Sequence, residues 1–225
     1  MKMYKKVMAA ALAGVMTVSM SATAFAADDD GYILKATNED SKSSDNDLVI
    51  AIEGSVSSMD PANIPDTNAI SATRGVYETL VSFDENQELT GKLAESWEVS
   101  DDSLTYTFKL RQGVKFQDGT DFNAAAVKAN YDRVVNKDNN LRQRRTFIVT
   151  NEDGSETPRV DSIETPDDYT LVIKLTQAWA PFINRLTQFC IISPAALEEY
   201  GNDIMNHPCG TGPYVCTELG RQTGR

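Results

Sequence analysis

The sequence predicts a mixed α/β fold, because segments with strand periodicity and segments with helix periodicity alternate along the chain. Residues 104–110 and 170–175 alternate apolar and polar side chains, which is typical of half-buried strands. Residues 124–134 have apolar side chains at helical spacing, and residues 193–201 have helix-capping residues at both ends. A chain of 225 residues with 41% hydrophobic content is long enough to bury a substantial core.

The first 26 residues have the composition of an export signal. Three lysines precede the apolar run of residues 7–20, and residues 24–26 (Ala-Phe-Ala) match the small residues that a signal peptidase recognises. The alternative is a membrane anchor, but this run of 14 residues is shorter than the ~20 needed to span a bilayer. We therefore expect residues 1–26 to be a signal peptide, cleaved before Ala27, and the polar, acidic residues 27–46 to be a flexible leader.

The first ordered elements are expected to be a strand, a loop and a helix. Residues 48–52 form a short β-branched run ended by Gly54, which predicts a buried strand, and the small polar residues and prolines of 55–66 predict a loop. Asp66 or Thr67 is expected to cap a helix that continues to about residue 81. The apolar stripe that predicts this helix comprises Ala69, Ala72, Val76 and Leu80, widened by Ile70, Tyr77 and Val81.

The later elements have clear boundary signals. Asn123 is a predicted helix N-cap, and residues 193–201 predict a helix with Ser193 as N-cap, Pro194 in the first turn and a terminating Gly201. Residues 150–158 (TNEDGSETP) carry an Asp-Gly turn in an acidic stretch, which predicts a surface loop. Residues 210–213 predict a constrained turn leading into a strand.

The net charge and the residue composition argue against nucleic-acid binding and against hydrolytic catalysis. Removing the three lysines of the signal peptide would change the net charge from −12 to −15, which disfavours binding to nucleic acid. His207 is the sole histidine, and the chain has no Gly-x-Ser-x-Gly motif, so a hydrolytic triad lacks a plausible base. Adjacent carboxylates at 101–102 and 167–168 are more simply solvated turn residues. We therefore expect the protein not to be an enzyme.

The three cysteines, Cys190, Cys209 and Cys216, leave the disulfide state open. In an oxidising compartment one bridge and one thiol are feasible, and Cys209 with Cys216 is the local candidate pair. A metal site would need more ligands than this cluster and His207 supply, so we expect no bound metal or cofactor.

Four stretches follow one another along the chain: LAESWEVSDDSLTYTFKLRQGVKFQDGTDFNAAAVKANYDR (93–133), VDSIETPDDYTLVIKLTQAWAPFINRL (160–186), IISPAALEEYG (191–201) and GTGPY (210–214). These motifs resemble the extracellular solute-binding proteins, family 5, which serve peptide and nickel ABC importers. The resemblance covers about residues 47–216, and the motifs follow one another in the family's order. Within the family, two of these stretches are most similar to members that bind glutathione.

The resemblance implies a fold like that of the type II periplasmic binding proteins, in which two lobes close on a ligand. Residues 47–84 and 189–225 would form domain I, with a smaller domain inserted at 85–188. Family members are typically about twice as long as this chain, so the resemblance implies that only the first lobe is present and that the second is missing. A fragment of this kind is expected to be unstable alone, with an unpaired sheet edge.

The resemblance also implies a ligand-binding surface and partners. The family's ligand-facing loop falls on GSVSSMDP, and a stretch that approaches the cleft matches the arginine cluster of 142–145, where guanidinium groups suit carboxylates. The implied partners are a peptide ligand, either glutathione or a short oligopeptide, and the permease subunits of an ABC importer. The alternatives are a nickel or metal-complex ligand, or a structural fragment that binds nothing. The implied ligand-binding residues are Ser55, Ser57, Ser58, Met59, Arg144 and Arg145.

Overall fold

A computed structural model describes the backbone at 33–36, 47–49, 56–64 and 66–218, and the side chains at 56–64 and 66–216. The predicted signal peptide and Ser55 lie outside these residues. The strands are β1 (Ile33–Ala36), β2 (Asp47–Val49), β3 (Val81–Phe83), β4 (Leu89–Gly91), β5 (Ala94–Val99), β6 (Thr105–Leu110), β7 (Ile148–Thr150), β8 (Glu156–Pro158), β9 (Val160–Asp167), β10 (Thr170–Leu175) and β11 (Tyr214–Glu218). The α-helices are α1 (Thr67–Thr73), α2 (Ala124–Val135), α3 (Arg144–Phe147), α4 (Phe182–Arg185) and α5 (Pro194–Tyr200).

The largest described sheet is antiparallel and has the strand order β5-β6-β10-β9. Its two central strands are the alternating segments that the sequence predicts. On β6 and β10 every second residue is at most 4% exposed, because one face of each strand packs into the core. These residues are Tyr106, Phe108, Leu110, Leu171, Ile173 and Leu175.

The predicted helix caps of α2 and α5 are confirmed. The Asn123 side chain accepts a hydrogen bond from the Ala126 amide at 2.9 Å, and the Ser193 hydroxyl accepts one from the Ala196 amide at 3.3 Å. Gly201 follows α5 with a φ of 53°, in the left-handed region where glycine has no steric penalty. Local sequence signals therefore predicted the capped ends of α2 and α5 correctly.

A smaller antiparallel sheet has the order β11-β1-β2. Its strand β2 ends at Val49, and residues 50–52 of the predicted strand lie outside the described part of the chain. Residues 33–36 belong to the segment that we expected to be a flexible leader, and that expectation is wrong for them. They form β1, because the backbone groups of β2 and β11 pair with them on both sides.

The predicted helix over 66–81 is only half correct. Helix α1 begins after the predicted Asp66 cap but ends at Thr73, and Val76 to Leu80 continue in irregular structure. The amides of Tyr214 and Gly212 donate to the carbonyls of Gly75 and Val76, at 3.1 and 2.8 Å. In a continuing helix those carbonyls would accept from residues 79 and 80. Pairing with a distant segment therefore replaces the last helical turns.

The segment 150–158 is a β-hairpin rather than the plain surface loop that we expected. Strands β7 and β8 pair, and Asp153-Gly154 forms the turn, with a φ of 80° at the glycine. The Asn151 side chain bridges the hairpin by donating to the hydroxyls of Ser155 at 2.8 Å and Thr157 at 3.0 Å. The turn and the exposure follow the sequence, whereas the pairing does not.

Residues 210–213 form a turn that leads into β11, as predicted. The Gln117 side-chain nitrogen lies within hydrogen-bond distance of the carbonyls of Val76 (3.2 Å), Gly212 (3.1 Å) and Tyr214 (2.6 Å). Its side-chain oxygen accepts from the Gly210 amide at 3.2 Å. One side chain thus satisfies backbone groups on both sides of this contact.

Within the described residues, none of the helices has the length and apolar character needed to cross a bilayer. The division into domain I (47–84 and 189–225) and an inserted domain (85–188) stays a prediction.

Candidate ligand-binding site

The serine loop, residues 56–64 before α1, is held by its own side chains and by Asp66. Exposed Ser57 donates to the Asp66 carboxylate at 2.5 Å, and the Ser58 hydroxyl accepts from the Asp60 amide at 3.1 Å. Met59 lies next to Ser58 in sequence but is 1% exposed and packs in the core. The loop therefore presents hydroxyl groups while Met59 anchors it to the interior.

Asp60 organises the second half of this loop. Its carboxylate accepts from the Ala62 amide at 3.0 Å, and its carbonyl accepts from the Asn63 amide at 3.0 Å, so Pro61–Asn63 form one turn of 3₁₀ helix. Pro61 suits the first position of such a turn because it has no amide hydrogen to satisfy. The turn lies within the loop that the sequence predicts for 55–66.

The three clustered arginines have different environments. Arg144 is committed to internal contacts, because its Nε donates to the Val135 carbonyl at 2.9 Å and its two terminal nitrogens lie 2.7 Å from the Glu156 carboxylate. This bidentate hydrogen bonding raises the pKa of Arg144 and lowers that of Glu156. Arg142 and Arg145 are exposed and make no ion pair within the described part of the chain. Arg145 is therefore better placed than Arg144 to meet an anionic ligand.

Gln143 brings the serine loop and the arginine cluster together. Its amide donates to the Ala62 carbonyl at 3.0 Å, and its side chain donates to the Gln188 carbonyl at 2.7 Å. The structure thus joins two of the sequence-predicted site segments and adds a third, the turn at 186–188. Gln143 has no motif that would have marked it in the sequence.

Asp66 links the serine loop to α1 and provides a test of the loop's anchoring. The Ser57 hydroxyl and the Ala69 amide, at 2.8 Å, hydrogen-bond to its carboxylate and lower its pKa. We expect Asp66→Ala to reduce the free energy of unfolding by about 1 kcal/mol at neutral pH, as for other lost N-caps.

The pH dependence of that loss follows from the lowered pKa. A carboxylate with a depressed pKa in the folded state contributes stability that is lost as the pH falls through that pKa. Urea denaturation should therefore show a smaller difference between Asp66→Ala and the parent near pH 3 than at pH 7. Asp66→Asn, which keeps an accepting oxygen, is the control and should stay close to the parent at pH 7. An equal loss for the two variants would contradict the capping role.

The thiols of Cys190 and Cys209 are not activated as nucleophiles. Burial raises the pKa of Cys190 to about 12 and that of Cys209 to about 11. Cys209 is a thiol, so the bridge to Cys216 that the spacing allows is not formed. The His207 ring stacks on Tyr200, 4.0 Å between centroids. Among the residues that the structure describes, no group of three His, Cys, Asp or Glu side chains is placed to hold a metal ion.

Comparison with known proteins decides the family. Residues 88–223 match the family model of the bacterial extracellular solute-binding proteins, family 5 (middle region), which is more than half of the chain. The chain belongs to this family. The resemblance carried by the motifs between 93 and 214 is thereby confirmed, and the mixed α/β fold is that of a periplasmic binding protein, represented here in part.

A curated relative of this family 5 chain is the glutathione-binding protein GsiB of Shigella dysenteriae. It is 39% identical over 203 residues, which are 89% of this chain and 34% of the relative. The chain therefore spans about a third of the length of the curated relatives that it matches.

Two solved structures are similar to the chain. One is DppA from Helicobacter pylori in complex with the peptide STSA, with 32% identity, a TM-score of 0.55, and coverage of 70% of this chain and 34% of that one. The other is NikZ from Campylobacter jejuni in complex with Ni(L-His), with 28% identity, a TM-score of 0.61, and coverage of 72% and 31%.

Proposed function

We propose that this chain provides part of the ligand-binding lobe of a solute-binding protein that captures glutathione or short peptides for an ABC importer. The observation that carries the proposal is the 39% identity to a glutathione-binding protein over 89% of the chain. Capture would take place outside the cytoplasmic membrane, and delivery would be to the permease subunits of the importer.

The chemistry of the candidate site suits such a ligand. Glutathione carries two carboxylates and two amide bonds. The Ser58 hydroxyl can donate to a ligand oxygen, whereas Ser57 donates its proton to Asp66 and offers only an accepting oxygen. Arg145 offers an exposed guanidinium group. Arg144 would act indirectly, because its donors already bind Glu156 and Val135. Met59 is buried, so it would anchor the loop to the core without contacting the ligand.

The proposal is tested by titrating the isotope-labelled chain with glutathione and following amide chemical shifts by NMR. This measurement detects weak binding, which matters because the chain spans about a third of its relatives' length. Shift changes are expected to concentrate at 56–64 and 142–145. An alanine dipeptide and Ni(II)-histidine, the latter representing the ligand type of NikZ, serve as competing ligands.

A matched pair of variants sharpens this test. Arg145→Gln should weaken glutathione binding at least tenfold, because a charge-assisted hydrogen bond is worth about 1.5–3 kcal/mol. Arg111→Gln removes the same charge from another exposed position and should leave binding unchanged. Tighter binding of Ni(II)-histidine than of either peptide ligand would favour the nickel alternative, and no response to any of the three would contradict the proposal.

A further inference from the structure

A buried ion pair connects the serine loop to helix α2. The Arg133 guanidinium binds the Asp60 carboxylate through two hydrogen bonds, Nη1 to Oδ1 at 3.2 Å and Nη2 to Oδ2 at 2.7 Å. Their side chains are 11% and 6% exposed. A pair this buried must keep both partners, since either charge alone would be strongly destabilising there.

The same carboxylate that binds Arg133 also shapes the loop. Asp60 accepts from the Ala62 amide, and its own amide donates to Ser58, so its position sets the path of the backbone on both sides. A change in the Asp60–Arg133 pair would therefore move the Ser58 hydroxyl and the Ala62 carbonyl together. The Ala62 carbonyl is the group through which Gln143 joins the arginine cluster to this loop.

Helix α2 is itself fixed to the rest of the molecule on the side that carries Arg133. One turn earlier, the Asn130 side chain donates to the Ile192 carbonyl at 2.7 Å and accepts from the Ile192 amide at 3.0 Å. Asn130 is 2% exposed. Just beyond the helix, the Asn139 side chain donates to the Arg133 carbonyl at 2.8 Å. These contacts fix the position of Arg133, and its ion pair with Asp60 in turn fixes the serine loop.

We propose that Arg133 and Asp60 are positioning residues of the ligand-binding site, which hold the serine loop against the arginine cluster without touching the ligand. This inference rests on the proposed function, because ligand binding by the loop is part of that proposal. The ion pair fixes Asp60, and through it the Ser58 hydroxyl and the Ala62 carbonyl that binds the Gln143 amide, before the ligand arrives. Such preorganisation raises affinity by removing the ordering cost from the binding step.

The experiment compares three variants of the full chain with the parent. Arg133→Met removes one charge, and Asp60→Asn/Arg133→Met removes both while keeping an oxygen that can accept from the Ala62 amide. Lys128→Met is the control, since it breaks the exposed Lys128–Asp132 pair, 2.5 Å long, on the same helix. The double variant covers the case in which Arg133→Met fails to fold, because neutralising both partners avoids leaving a single buried charge.

Two measurements separate positioning from simple stabilisation. The first is amide hydrogen exchange of Gln143, compared with that of Phe108 in the central sheet, and it needs no ligand. The second is the affinity for glutathione, measured beside the melting temperature. In the double variant we expect Gln143 to exchange about tenfold faster relative to Phe108. We also expect glutathione binding about tenfold weaker, with a melting temperature near that of Lys128→Met.

Parent-like Gln143 exchange and parent-like affinity in the double variant would overturn the inference, because the pair would then be purely stabilising. The same changes in Lys128→Met would overturn it as well. If the parent binds neither glutathione nor dipeptide while Gln143 still exchanges faster in the double variant, the proposed function fails and the positioning of the loop stands.

Discussion

Phe108→Ala is expected to reduce the free energy of unfolding by about 4 kcal/mol, the range typical of a buried phenylalanine truncated to alanine. Phe108 is 0% exposed and lies on a central strand, in register with Trp97 on one neighbouring strand and Leu171 on the other. The truncation would leave a cavity at β6, which pairs with β5 on one side and β10 on the other. Because these strands are hydrogen-bonded to one another, they cannot readily move to fill the cavity. Denaturant titration, monitored by circular dichroism, measures the loss.

Phe83→Ala is the matched control for this prediction. Phe83 also lies in a strand but is 45% exposed, so the same truncation removes much less buried surface. Its loss should stay below about 1 kcal/mol, as for most surface substitutions. Equal losses at the two positions would show that β6 is not the centre of the core.

Elements with local signals were predictable from the sequence. The caps at Asn123 and Ser193 act within three residues of themselves, and the alternation of 104–110 and 170–175 reports a single buried face. Neither signal depends on where the rest of the chain lies. The caps and the strand alternation can therefore be predicted without a structure.

Elements decided by distant partners were not predictable in this way. The helix expected to reach residue 81 stops at Thr73, because the carbonyls of Gly75 and Val76 bond to a segment more than 130 residues later. The apolar stripe correctly predicted burial, since Val76 and Leu80 are both 0% exposed. These two residues, however, lie in irregular backbone and not in a helix. Periodicity reports burial more securely than it reports helix ends.

In the candidate site, too, some residues could be predicted from the sequence and others depend on contacts between distant residues. The serine loop and the arginine cluster came from the family resemblance, whereas Asp60, Arg133 and Gln143 had no signal that could connect them in sequence. Asp60 and Arg133 lie 73 residues apart, and their pairing depends on the packing of α2 against the loop. Likewise, the commitment of Arg144 to Glu156 follows from a hairpin that the sequence did not indicate.

Gly212→Ala is expected to destabilise the protein by about 3 kcal/mol, at the upper end of the usual cost of overpacking. A Cβ atom at Gly212 would lie 2.5 Å from the Gly75 carbonyl oxygen and 2.6 Å from the Val76 carbonyl carbon. These are backbone atoms, held by the hydrogen bonds from Gly212 and Tyr214, so they cannot rotate away as a side chain could. Relief would require separating the turn at 210–213 from the end of α1.

The backbone angle at Gly212 makes the sign of this effect informative. Its φ lies outside the left-handed region, so alanine there would ordinarily stabilise the fold slightly by restricting the unfolded chain. A net loss must therefore come from the steric contact. Gly154→Ala is the converse control, since that glycine has a φ of 80° and open space around it.

Denaturant titration and amide hydrogen exchange of the two glycine variants distinguish the two causes. Gly154→Ala should cost about 1–2 kcal/mol from backbone strain alone. It should leave the amide of Gly210, which donates to the Gln117 side chain, as protected from exchange as in the parent, whereas Gly212→Ala should expose that amide. A Gly212→Ala variant as stable as the parent would mean that the close approach of this turn to Gly75 and Val76 does not hold β11 in place.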